Sequence, residues 1–168
     1  MEFTRLSQPI VDILQKQTKH ELSNFHFYLG LNKFCKDKSY NGGEVLFYKQ
    51  ALGELDHFNI FADYMINKKM CPVIPAVDAV NAKKITDIVE CLNLALQREK
   101  QTTAYIKEIC KLALEEGDYQ TYELGLKMMN EQVEEETLFI NLLDRYEILK
   151  TCSSGMFLLD QEIYEKYK

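Results

Sequence analysis

The chain has 168 residues, enough for one domain with a sizeable core, and 46% hydrophobic with 27% charged residues is the composition of an ordinary globular protein. A net charge of −6 disfavours nucleic acid as a partner and favours cations. No apolar run reaches the roughly 20 residues a membrane-spanning helix needs, so no membrane partner is expected. The start, Met1-Glu2-Phe3-Thr4-Arg5, lacks the basic-then-apolar pattern of a secretory leader, and a cytoplasmic location follows by default. Cys35, Cys71, Cys91, Cys110 and Cys152 are odd in number and form no CxxC pair. That speaks against a disulfide framework, a structural zinc site or a rubredoxin-type iron centre, and predicts buried free thiols.

Helical periodicity runs through most of the chain, and no alternating strand pattern competes with it. Ser7-Gln8-Pro9 reads as a cap followed by proline in a first turn, opening a helix near residue 8. Its inward stripe is Leu14, Thr18, Glu21, Phe25, Tyr28, Asn32 and Cys35. The polar segment 36–43 ends in Asn41-Gly42-Gly43 and reads as a short loop, so the second helix, expected over 44–69, runs antiparallel to the first. Phe47, Ala51, Glu54, Phe58, Phe61 and Met65 share one face of it, and His57 lies one turn from Glu54.

Cys71 to about residue 82 contains Pro72 and Pro75 without a helical stripe, and is longer than a tight bundle turn requires. It has the length to cross a bundle end to end. The third helix follows, with Ile85, Ile88, Leu92, Ala95, Glu99, Thr102, Ile106 and Ile109 on one face. Gly117-Asp118 stops it and caps the fourth, which runs to about residue 149 with Leu124, Met128, Gln132, Glu135, Phe139, Leu142 and Tyr146 inward. Cys152-Ser153-Ser154-Gly155 breaks the chain before a short fifth helix over 156–167.

Each long helix thus carries a carboxylate in its apolar stripe near mid-length: Glu21, Glu54, Glu99 and Glu135. One such residue has a plain explanation, a stripe-edge side chain reaching water. Four at matching depth, with no inward Lys or Arg, would repel one another at a cost of several kcal/mol each unless protons or metal ions neutralise them. Carboxylate oxygens with one imidazole suit iron(II) or manganese and also admit zinc.

Taken together, Lys19-His20-Glu21-Leu22 with Tyr28, Gly53-Glu54-Leu55-Asp56-His57, Gln97-Arg98-Glu99-Lys100 and Asn130-Glu131-Gln132-Val133-Glu134-Glu135-Glu136 resemble the four helix signatures of the bacterial-type non-haem ferritins. The tail from Ser154 to Glu162 resembles that family's short last helix. The match runs from about residue 6 to 167. The fold implied is all-α: a ferritin-like four-helix bundle with one long crossover between the second and third helices, a short fifth C-terminal helix, and one domain over 1–168.

The resemblance further implies a dinuclear ferroxidase centre inside each subunit. Glu21, Glu54 and His57 would hold the first iron, with Glu54 bridging to a second iron held by Glu99 and Glu135. Gln132 would hydrogen-bond nearby or contact the second iron through water, and Tyr28 would position ligands. Fe(II) would be oxidised by dioxygen or hydrogen peroxide, and the ferric product would mineralise inside a shell of twenty-four copies. Relatives often carry an acidic residue where Gly53 stands, so a third site on Glu131 and Glu134 is expected to be weak or absent. Haem-binding relatives place Met after the second-helix Glu and a second Glu-x-x-His on the fourth helix; Leu55 and Gln132-Val133-Glu134-Glu135 depart from both, and no haem is expected.

His20 and His26 fall off the inward stripe and read as surface or interface residues, as does Glu136; Tyr40, Tyr119 and Tyr122 read as interface or core. Three rivals are weaker. A DNA-protecting mini-ferritin predicts a basic tail and no fifth helix, a rubrerythrin-like peroxidase needs CxxC pairs, and a shell subunit with an inactive centre sits poorly with a complete ligand set.

Overall fold

A computed structural model describes residues 6–168. The leader-free reading of Met1 to Arg5 lies outside them. Capping chemistry sets most helix boundaries. Ser7 accepts the Ile10 N–H at 3.3 Å and opens α1, Gln8–Asp37, with Pro9 in its first turn. Ser39 takes a left-handed φ of 62° and the Tyr40 N–H returns to the Cys35 carbonyl at 2.8 Å, which turns the chain into α2, Asn41–Asn67. Asp87 accepts from the Glu90 N–H at 2.9 Å while the Glu90 carboxylate takes the Thr86 N–H at 2.7 Å, a reciprocal cap that starts α3, Ile88–Glu116. Gly117, at φ 70°, ends α3, and Asp118 accepts the Thr121 N–H to begin α4, Tyr119–Leu149. A last helix, α5, spans Gly155–Tyr167.

Two boundaries differ from the sequence reading. α2 starts at Asn41 instead of residue 44, because Gly42 and Gly43 are helical residues chosen for close packing and not turn formers. A Cβ on Gly42 would stand 2.0 Å from the Asp160 carbonyl oxygen of α5, and one on Gly43 would stand 2.6 Å from Cys35 Sγ. α3 starts at Ile88, after a single 3₁₀ turn at Ala82–Lys84, so Ile85 lies in extended backbone before the helix.

Side-chain contacts give the directions. Asn32 with Glu44 and Asn24 with Glu54 make α1 and α2 antiparallel. Lys16 with Glu108 and His20 with Thr102 make α1 and α3 antiparallel, so α2 and α3 run the same way. The chain between them must therefore return along the bundle. Gln15 bonds the backbone of Val73 on both sides, at 2.6 and 2.9 Å, and Val80 packs on Gly30. Seven extended residues reach about 23 Å, matching the ~22 Å that fifteen residues of α1 span.

The core is divided. One apolar cluster, including Leu31, Phe47, Leu92, Phe139 and Leu159, fills the end near α5. Another, including Leu14, Phe61, Met65, Ile109 and Met128, fills the opposite end. Between them lies a buried polar layer containing Gln17, Glu21, Asn24, Glu54, Glu99, Thr102 and Gln132. Of the cysteines, Cys35 and Cys91 are buried, but Cys71 and Cys152 are exposed because they sit in connections and not in helix stripes.

Candidate metal centre

Glu21 and Glu54 project from facing turns of α1 and α2, and His57 lies one turn beyond Glu54. One ligand atom from each of the three falls within 4.8 Å of the others. Glu21 is fully buried and Glu54 nearly so, at 0% and 4% exposure. Glu21 Oε2, Glu54 Oε2 and His57 Nδ1 are buried without a hydrogen-bond partner. His57 Nδ1 stands 3.7 Å from Glu54 Oε2, too far for a hydrogen bond. Glu131 Oε2 lies 3.2 Å from His57 Nε2. That neighbour favours the ring proton on Nε2 and leaves the Nδ1 lone pair facing Glu54.

The other carboxylates are arranged differently. Glu99, 1% exposed, accepts from the Tyr28 hydroxyl on Oε1 and from Gln132 Nε2 on Oε2 at 3.0 Å. Tyr28 is itself fixed between Phe47 and Phe139, with centroids 6.2 and 6.3 Å away and nearly parallel rings. Glu135 is half-buried, and its Oε2 accepts from Gln50 Nε2 at 3.0 Å. Glu131 is also half-buried, while Glu134 is exposed.

The electrostatics follow from burial. Burial, then the charge of Glu54, pushes the Glu21 carboxyl well above the usual range. Burial and Glu99 raise Glu54 to about 8, and burial and Glu99 raise Glu135 to about 7. Burial also raises Glu99 against the opposing hydrogen bonds of Tyr28 and Gln132. The Tyr28 hydroxyl is pushed far up by burial and the Glu99 charge, which keeps it a donor. Without a cation, this layer holds protons that a cation would displace.

Two outer residues depart from the sequence reading. His20 is buried, because α1 is covered by α3 as well as α2 and its buried arc is wider than one stripe. Its Nε2 lies 2.8 Å from Thr102 Oγ1, and burial, with Arg98 and Lys16 nearby, lowers it to about 4. Glu136 is half-buried and accepts from Thr103 Oγ1 instead of facing water. Tyr119, read as interface or core, is 72% exposed and so is not a core residue of the single chain, and His26 is exposed as expected. Sequence reasoning also passed over Gln17, which donates to Glu21 Oε1 at 2.5 Å, and Asn24, 3.4 Å from Glu54 Oε1. Both stand at i−4 and i+3 from Glu21, so helical phase alone would have found them.

This arrangement of helices has close counterparts. Residues 11–149 match the profile of the ferritin-like domain. The chain belongs to the ferritin family. It is 27% identical over 158 residues to a probable bacterial non-heme ferritin-like protein of Haemophilus influenzae, covering 94% of this chain and 95% of that protein. A bacterial non-heme ferritin of Staphylococcus saprophyticus is 27% identical, with 94% of each chain covered. Among solved structures, an open-pore ferritin from the hyperthermophilic archaeon Archaeoglobus fulgidus superposes with a TM-score of 0.89 at 21% identity, covering 95% of this chain and 96% of that one. That last likeness is one of fold. Within the ferritin bundle, Gly53 precedes Glu54 with nothing within 4 Å of where its Cβ would be, so no packing need in this chain requires glycine there. Among the described residues no helix is long and apolar enough to cross a membrane.

Proposed function

We propose that this chain is an iron-storage ferritin that oxidises Fe(II) at a dinuclear centre within the subunit and holds the ferric product inside a hollow shell of its own copies. Iron is the substrate. Glu21, Glu54 and His57 take the first Fe(II), Glu54 bridges, and Glu99 with Glu135 takes the second. Two Fe(II) give up one electron each, and the pair reduces one dioxygen with two protons to hydrogen peroxide, or one peroxide with two protons to two waters. Gln132 and the Tyr28 hydroxyl hold the Glu99 carboxylate in place. Glu131 and Glu134 form at most a weak third site beside Gly53. The shell of twenty-four, the single domain over 1–168 and the cytoplasmic setting belong to the same reading.

The observation that carries it is the convergence of Glu21, Glu54 and His57, which bring one ligand atom each within 4.8 Å of the others in a buried place. Two buried carboxylates side by side are costly when both are charged, so the metal-free pair shares a proton, and a cation would take that proton's place. The test is aerobic Fe(II) addition to metal-free protein, following ferric absorbance against a protein-free control. Fast oxidation saturating near two irons per chain is expected, with further iron staying soluble with the protein. Glu54→Ala and His57→Ala should each cut the fast phase by at least about 100-fold, the scale for losing a metal-positioning group, while far-UV circular dichroism keeps its helical signal. Oxidation no faster than the control sinks the ferroxidase reading and leaves a ferritin-like subunit of another use.

A further inference from the structure

The two halves of the centre are not equally ready. In the first, Glu21, Glu54 and His57 bring one ligand atom each within 4.8 Å of the others, and the only bond between the two acids is one that a shared proton makes. Gln17 and Asn24 bond only the Oε1 atoms of Glu21 and Glu54; in the second half both Glu99 oxygens carry donors, Gln50 draws Glu135 Oε2 toward α2, and neither acid joins the gathered group. The donors on Glu99 come from the deep interior, where Tyr28 and Gln132 are 0% and 1% exposed. The donor on Glu135 is of another kind. Gln50 sits on α2 one turn before Glu54 and is half-buried, with a flexible side chain that can release its partner.

We propose that Gln50 is a latch on the second metal position: its amide ties the Glu135 carboxylate toward α2, and the second cation binds only when that hydrogen bond is given up. This rests on the reading above that Glu99 and Glu135 form the second half-site. The latch acts on position and not on lone pairs, since a carboxylate oxygen accepting one bond still has capacity for a cation. Its strength is that of a hydrogen bond to an ionisable acid in a poorly hydrated place. The first cation meets three residues already gathered and displaces protons without moving a side chain, so filling is ordered, first Glu21–Glu54–His57 and then Glu99–Glu135. Ordered filling has a chemical use, because an Fe(II) held alone cannot deliver two electrons to one oxidant.

The experiment is calorimetric titration of the metal-free full chain with Zn(II), which is redox-inert. The wild type should show two steps per chain, the first tighter, and Glu135→Ala should remove the second step and so identify it. Gln50→Leu keeps the bulk without a donor, and Gln50→Asn keeps an amide that is too short. Both should tighten the second step by about tenfold, the scale of one charge-assisted hydrogen bond, and leave the first unchanged. Melting temperatures of the metal-free variants check that both fold. A merely structural Gln50 would instead weaken both steps together. Equal steps in the wild type, a single step in the wild type and both Gln50 variants, or an unchanged or weakened second step in the Gln50 variants overturns the latch. Two Zn(II) steps that behave as stated, with no Fe(II) oxidation by the wild type, overturn the ferroxidase reading and leave the latch standing.

Discussion

At the scale of single residues, the polar layer gives each of its buried acids at least one neutral donor. Tyr28 is one such donor. Phe47 and Phe139 hold its ring, and its hydroxyl satisfies a Glu99 oxygen that water cannot reach. Tyr28→Phe preserves the stacking and deletes only that donor. The metal-free protein should lose about 1–3 kcal/mol, the cost of a buried acceptor left alone, read as a lower midpoint in chemical unfolding with an unchanged slope. An unchanged midpoint would mean that Glu99 finds another donor. The acids themselves were legible in the sequence because a charged residue inside an apolar helical stripe is conspicuous. Their neutral partners were not. Gln17, Asn24 and Gln50 are unremarkable polar residues until a facing helix fixes what they touch, and His20 was misplaced because a single stripe understates how much of α1 is covered.

At the scale of elements, glycine spacing decides how α5 sits. Asp160 of α5 accepts the Gly43 N–H at 2.8 Å, capping α2 from a distant part of the chain. Gly42 lets the two backbones approach closely enough for that bond. Gly42→Ala should therefore displace α5, costing about 1–3 kcal/mol as overpacking does, and limited proteolysis should then cleave the 150–155 connection sooner. Gly53→Ala is the matched control. With nothing within 4 Å and a helical backbone, it should stabilise by about 0.5–1 kcal/mol. If Gly42→Ala is as benign as Gly53→Ala, α5 is not seated by this contact. Sequence reading recovered all five helices and the long crossover from periodicity and proline. It misjudged the start of α2 because a Gly-Gly pair looks the same whether it makes a turn or a close helix contact.

At the scale of the whole molecule, four acids at one level of the bundle make stability depend on pH in an unusual direction. Glu54 titrates near 8 and Glu135 near 7 in the folded chain, Glu21 and Glu99 are also raised, and all release protons near 4.5 when unfolded. Above pH 4.5 the folded state thus holds more protons than the unfolded one, so raising the pH favours unfolding. This contribution is full below about 4.5 and is lost as pH climbs through 7 and 8. His20 acts oppositely at lower pH: lowered from 6.5 to about 4, it makes the fold lose stability as pH falls below 6.5. The two effects oppose each other between 4.5 and 6.5 and separate above it. Metal-free protein should therefore lose stability from pH 6.5 to 8, by about 1.4 kcal/mol per pH unit for each proton held only by the folded state. Glu54→Gln should flatten that slope, since it removes one titrating group without removing bulk. A saturating divalent cation should reverse it, because a cation in place of protons binds better as the acids ionise. Thermal unfolding across this window, with and without Zn(II), reads all three effects. A flat metal-free profile would mean that the acids of the layer ionise freely, and that the bundle is not held open for a cation at its centre.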